Sequence, residues 1–411
     1  MRHYEKVISV CCFLFLFVNV GLPSTSFGVY QPYLAALPGV GDAGASFILS
    51  VRTFFTLCAM LFVNLWYRRL DCRLGVGAAC LLTAAGFALY ACPGGLAGLC
   101  AGAVFCGLGY GLGGIVGMTL LTGRWYRERV GTAVGFATLG SGVAGMLMPA
   151  VCHALIAGVS LGFAFLVEAG VAAAVGVLQL VFLRNRPNEM HGLLAHGGGR
   201  GGKAGGAGAC GEGGRDAREG VSPASRRLLV AASFLVGMVS IGGLAYMSIL
   251  FTTNGYEESF AALMLSVCGV ALAASKFGTG ELFDRIGTPR GTALVFSMLV
   301  VSLVLCCLAP LASPAVAVAA AVCFGIGGSV GSVGISVWSL ELSCEATRAR
   351  MVKNMQVAYA AGGFLADTFP GFLAQACGSY VPTYAILAAT TAAAAVLVLL
   401  VYRRRAGTGR S

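Results

Sequence analysis

Long apolar runs, interrupted at near-regular intervals by short clusters of charge, dominate the chain. Broken at those clusters, they give twelve segments, approximately 7–36, 43–66, 74–92, 95–121, 131–156, 159–183, 227–251, 259–282, 291–311, 314–342, 353–376 and 380–402. Each is apolar all round rather than along one stripe, and about twenty such residues cross the hydrocarbon of a bilayer. The pattern therefore predicts an all-α membrane protein with twelve transmembrane helices. Pro23 inside the long first run predicts a kink or break there. That run has no small-x-small cleavage site before the next span, so it is read as a helix and not as a cleaved leader.

Composition excludes the soluble alternative. Of the 411 residues, 58% are hydrophobic and 10% charged, with a mean hydropathy of +0.85. Soluble domains average roughly 25% charged residues. The 61 Gly are scattered through the apolar runs as well as concentrated in one loop, and in lipid small residues let helix backbones approach closely. The 16 Cys have no metal-ligand spacing and read as small lipid- or helix-facing residues.

The charge that remains is arranged as topology. Of 27 basic residues, 25 lie at the N-terminus, on alternate turns beginning with the one after the second run, or at the C-terminus; Arg52 and Lys276 alone fall inside spans. The positive-inside rule then puts both termini in the cytoplasm of a multi-pass protein of the cell membrane. It also accounts for the +11 balance without nucleic acid, leaving weak attraction to anionic lipid headgroups.

The centre of the chain differs in kind: Gly192 to Gly220 holds 13 Gly in 29 residues. Such a stretch buries too little apolar surface to fold and is expected to be a flexible cytoplasmic linker over 184–226. It separates six-helix halves at 1–183 and 227–402, with a basic tail at 403–411. The halves repeat: the loop at Asn64–Arg73 is answered by Gly280–Arg290 at an offset of about 216, and Gly140-Ser-Gly142 with Pro149 by Ala361-Gly-Gly363 with Pro370 at an offset of 221. Two six-helix repeats of this kind describe a transporter with its site between the halves.

Gly280-x-Leu-x-Asp284-Arg285-x-Gly287-x-x-Arg290 resembles the cytoplasmic loop signature of the major facilitator superfamily. There Gly280 permits helix approach and Asp284 caps a helix and pairs with Arg across the cytoplasmic face. The first-half copy is degraded, with Asn64 for the Gly and Arg68 for the Asp. A narrower resemblance covers most of the chain. Arg124-Trp-Tyr-Arg-Glu-Arg-Val-Gly131, Gly140-Ser-Gly142 with Pro149, Phe27-Gly-Val-Tyr30 and Arg184-Asn-Arg-Pro-Asn-Glu-Met190 resemble the monocarboxylate and oxalate/formate transporters.

That resemblance implies that Lys276, four residues before Gly280, binds a substrate carboxylate. Lys276 lies eight residues, about 12 Å of helix, before Asp284. An intramembrane charge costs at least about 2.5 kcal/mol without a partner or water; the other reading is a lysine snorkelling to the cytoplasmic face. Oxalate-type members carry a second cation where Ala361 stands, so a monocarboxylate is expected rather than a dicarboxylate. Tyr30 and Tyr359 match family positions in the cavity. Gln31, Tyr33, Tyr246, Asn254 and Trp338 are further lining candidates or interfacial anchors.

Two membrane acids are proton-coupling candidates. Asp367, roughly 21 Å past Lys353 by helical rise, reads as a proton carrier, a partner for Lys276, or a polar site facing water. Glu168 lies nearer the outer side and reads more readily as structural. Arg52 is placed near the external end of the second helix, reaching headgroups or water and attracting anions. His153 reads as a packing residue. Gly109-Tyr-Gly-Leu-Gly-Gly114 follows no strand, and no Walker lysine, metal-spaced set or nucleophile elbow occurs, so no enzyme, cofactor or metal is expected. The expected protein is a monomeric secondary transporter of a small organic anion, working with protons or a counter-anion by alternating access. The alternatives are a proton-coupled exporter of lipophilic or cationic compounds and a non-transporting membrane sensor.

Overall fold

The structure is a computed structural model and describes residues 2–26, 30, 33–34, 36–92, 94–126, 128–184, 221–366 and 369–408. Gln31, Asp367 and the Gly-rich stretch 185–220 lie outside the described residues. In lipid every backbone amide must find its partner within the protein, which leaves the helix as the form these apolar runs adopt. Eleven described helices are long and apolar enough to cross a membrane: α1 (Tyr4–Ser24), α2 (Phe47–Arg69), α3 (Cys72–Ala91), α4 (Gly95–Trp125), α5 (Val130–Gly158), α6 (Leu161–Phe182), α7 (Pro223–Ala245), α8 (Leu263–Ile286), α9 (Thr288–Cys307), α10 (Pro314–Glu341) and α12 (Val381–Arg405). Between α10 and α12 runs α11 (Glu345–Ala366), followed by a short helix, Phe369–Cys377. α11 is the least apolar because Glu345, Arg348, Arg350 and Lys353 fill its first turns.

One boundary differs from the sequence reading. α7 starts at Pro223, where Ser222 Oγ accepts from the Ser225 amide and a proline occupies the first turn. Arg226 and Arg227 therefore belong to a helix and not to the end of a linker.

The repeat is visible in the defects of the helices. α1 changes to π-helix over Phe17–Ser26, the segment holding Pro23. α7 does so over Met238–Gly242, beginning 221 residues later. Likewise α4 breaks at Gly114 between Gly95–Gly113 and Ile115–Trp125, and α10 passes through a 3-10 turn at Ser329–Gly331. Packing repeats as well: a methyl added at Gly140 would overlap the Phe13 carbonyl of α1, and one at Gly362 the Phe234 carbonyl of α7. Each half thus brings its first helix against its fifth with backbones touching, which small residues permit and dispersion rewards.

Candidate functional site

The two halves meet along α5 and α8, which run antiparallel. On α5, Gly131, Gly135 and Gly142 face Gly280, Lys276 with Phe277, and Ala273 on α8. A methyl on Gly135 would stand 2.6 Å from the Lys276 carbonyl, and one on Gly142 2.9 Å from the Ala273 methyl. At the end of this seam, methyls on Gly131 and Gly280 would overlap each other's carbonyls. With backbones this close, short polar side chains reach across.

Lys276 is the outcome. Its Nζ donates to Ser141 Oγ at 2.9 Å, and Ser141 in turn donates to the Thr138 carbonyl at 2.9 Å. The hydroxyl's proton points into its own helix, so its lone pairs are turned to the ammonium. Among the described residues no carboxylate lies within ion-pair distance of Lys276. An ammonium has three N–H donors, so two remain beyond the bond to Ser141. Lys276 is partly accessible, with its stem beside Gly142; it faces the neighbouring half across the seam instead of snorkelling along α8.

Three further contacts close the ends of the spans that carry the arginine clusters. The Asp284 carboxylate accepts from the Gly131 amide at 3.0 Å and from the Thr132 amide and hydroxyl, each at 2.6 Å. It caps the start of α5, where unpaired amides and the helix dipole favour an anion. Arg348 of α11 donates to the Gly123 carbonyl of α4 at 3.0 Å, and Thr119 donates to Ser336 at 3.1 Å between α4 and α10. Val63, Val116, Leu120 and Val352 fill the space between, with Tyr67 and Ala349 against them.

The expected pairing of Asp284 with an arginine is not what forms. Arg285 pairs with Glu281 four residues back along its own helix, in the open, an arrangement worth little. Arg124 is exposed and donates to the Cys72 thiol at 3.2 Å; Arg290 is exposed in the first turn of α9.

The helix breaks explain several polar residues. Where α4 breaks, the Leu112 carbonyl accepts from Tyr67 at 2.7 Å and the Gly113 carbonyl from Asn19 at 3.1 Å, while Thr83 donates to Asn19 at 2.8 Å. Arg52 was expected at headgroups; it is half-buried and donates to the Pro23 carbonyl in the π segment of α1. A proline-containing break frees carbonyls, and a cation one helix away satisfies them. The Tyr110 hydroxyl of α4 lies within electrostatic reach of both Arg52 and Tyr359, which links a cation of the first half to Tyr359 of the second. The Tyr359 hydroxyl sits at Gly331, in the break of α10: a methyl there would stand 2.9 Å from it.

Tyr30 and Glu168 are elsewhere. Both are fully buried within the first half. Tyr30 donates to the Cys152 thiol at 3.0 Å, Cys152 to Glu168 Oε1 at 3.3 Å, and the Tyr30 ring packs on Phe165 at 4.3 Å. Tyr30 is thus a packing residue of α5 and α6 here, not a neighbour of Lys276. His153 is exposed. Trp338 donates to Thr292 at 2.9 Å and stacks on Phe296; Asn254 donates to the Leu250 carbonyl; Tyr246 turns the chain and stacks on Tyr380. Sequence reasoning passed over Ser141, Asn19 and Tyr110. Their signal was faint: a hydroxyl, an amide and a phenol inside otherwise apolar or glycine-rich runs.

Two six-helix repeats, broken helices at matching places and a cation on the seam define a membrane carrier with its site between the halves. The Major Facilitator Superfamily, a family of transporters, matches residues 10–367, and the chain belongs to it. No curated protein matches the chain by sequence. Among solved structures, the fucose:proton symporter FucP of E. coli is similar at 15% identity and a TM-score of 0.72, with 98% of this chain and 99% of that one covered. The human organic anion transporter MFSD10 is similar at 15% identity and 0.73, covering 96% and 99%. FucP in an outward conformation gives 13% and 0.70, covering 97% and 98%. At these identities the likeness concerns the fold.

Proposed function

We propose that the protein carries a small organic anion, a monocarboxylate, across the cell membrane by alternating access, as a monomer with both termini in the cytoplasm. The observation that carries this reading is the Lys276 ammonium on the seam between the halves, held by a hydroxyl and not by a carboxylate. A charge at that depth requires an opposite charge or water. A substrate carboxylate supplies the first, accepting the two N–H donors that Ser141 leaves. One lysine is a point charge without the fork of arginine, and Ala361 stands where a second cation would serve a second carboxylate. With the arginine clusters facing the cytoplasm, the sealed side is the cytoplasmic one. Substrate then enters from outside, and Asp284, Arg348 and Thr119 release as the halves rock. Protons are the coupling ion on this reading, carried by Asp367, with Glu168 as the second candidate. The human organic anion transporter and the proton symporters of the same fold are compatible company.

The test is uptake of labelled lactate or formate into proteoliposomes, competed by other carboxylates and, separately, by lipophilic cationic dyes. Competition by monocarboxylates is expected; competition by dyes alone would overturn the anion reading in favour of a cation exporter.

A further inference from the structure

A second feature lies apart from the seam, on the outer face of the second half. α7 and α11 enclose a groove of about 620 Å³ lined by Arg226, Arg227, Phe234, Arg350, Met351 and Asn354 among others. Both walls turn away from established packing. On α7 the groove residues Arg227, Val230, Ala231 and Phe234 recur at helical spacing opposite Leu229, Ala232 and Val236, which are buried in the core. On α11 the groove residues Arg350, Asn354 and Ala358 lie opposite Ala349 and Val352, which meet the first half. The three guanidiniums gather at the arginine-bearing membrane surface, and among the described residues none is in an ion pair with a carboxylate. Deeper in, the lining becomes apolar through Val230, Phe234 and Ala358. From Arg226 to Phe234 is eight residues, about 12 Å, so cations sit at headgroup depth and the apolar walls at acyl-chain depth.

We infer that this groove is a binding site for an anionic phospholipid, its phosphate on Arg226, Arg227 and Arg350 and an acyl chain between Phe234 and Ala358. Charge complementarity and the change from cationic to apolar lining along one channel select a lipid over a soluble anion, which has no use for the apolar part. Arginine suits phosphate because its planar fork gives paired hydrogen bonds. Both walls belong to one half and are locked together at Gly237 and Gly362, whose added methyls would overlap backbone across the pair. The groove therefore survives rocking of the halves, and its occupancy is readable whatever the transport state.

The full-length protein, purified in neutral detergent, is titrated with phosphatidylglycerol, with phosphatidylcholine of the same chains, and with glycerol phosphate, followed by native mass spectrometry. One phosphatidylglycerol is expected per chain, at least about tenfold tighter than phosphatidylcholine, with glycerol phosphate failing to compete. At roughly fivefold per arginine near an anionic headgroup, R226Q/R227Q/R350Q should lose on the order of a hundredfold, whereas R403Q/R404Q/R405Q in the tail should change binding less than about threefold. Ala231→Trp, which fills the wall and leaves every charge in place, should also abolish the bound lipid. The inference is overturned by phosphatidylglycerol binding that persists in the triple variant or in Ala231→Trp, by full competition from glycerol phosphate, or by binding that appears only after residues 192–220 are deleted, which would make the chain's own acidic stretch the occupant.

Discussion

Lys276 uses one N–H donor on Ser141, and the direction of the Ser141 proton toward Thr138 makes that bond a cradle for the cation, not a substitute for a counter-charge. Lys276→Ala should lower carboxylate uptake by proteoliposomes roughly 10- to 150-fold, the equivalent of a charge-assisted hydrogen bond of about 1.5–3 kcal/mol, in a protein that still purifies monodisperse. Ser141→Ala should cost about fivefold, since the charge stays and its aim is lost; undiminished uptake by Lys276→Ala would remove the lysine from the site. Asp367→Asn is expected to lose the dependence of uptake on a pH gradient while keeping substrate exchange at zero gradient, and retention of the full dependence would exclude the proton role. The place of Lys276 was legible because intramembrane charge is rare enough for one residue to stand out. The places of Arg52 and Tyr30 were not: hydropathy gives the depth of a polar side chain but not the helix face it occupies, and both satisfy partners within the first half, the Pro23 carbonyl and the Cys152 thiol.

Between elements, the α5–α8 seam depends on the absence of side chains. Gly280→Val should force α8 off α5, because its first carbon would overlap the Gly131 carbonyl. Single-molecule distances between the loops at the sealed ends should report the separation; an unchanged distance with normal uptake would show that the seam tolerates bulk. Asp284→Ala removes the cap on α5 and should cost the sealed state about 1 kcal/mol, an effect kept small by the exposure of this carboxylate and equivalent to roughly fivefold in population. The same distances measure it, and no shift would assign the seal to the apolar contacts around Val63 and Val352. Gly280 and Asp284 could be read as a close-approach glycine and a capping acid from their spacing alone. The capped helix could not, since Asp284 and Thr132 stand 152 residues apart and nothing local in either segment names the other.

The whole molecule rocks only if the contacts near Thr119 and Ser336 part, because these hydroxyls join the halves across α4 and α10. In the double variant Thr119→Cys/Ser336→Cys, oxidation should stop uptake and reduction restore it; full uptake with the crosslink complete would show that these positions need not separate. The twelve-helix plan and the six-plus-six repeat were plain in hydropathy and in the 221-residue offset. What hydropathy does not record is the fault repeated at that offset, the π segments beginning at Phe17 and Met238. A π turn holds an extra residue against the α-helical count, so each first helix of a half carries a surplus residue at the same depth. Deleting one residue from Met238–Gly242 would let α7 relax to a continuous α-helix and rotate all that follows by about 100°, carrying Tyr246 off Tyr380. The corresponding deletion in α1 would turn the Pro23 carbonyl away from Arg52. The phase of the outer ends of both helices is thus set by a single inserted residue in each half.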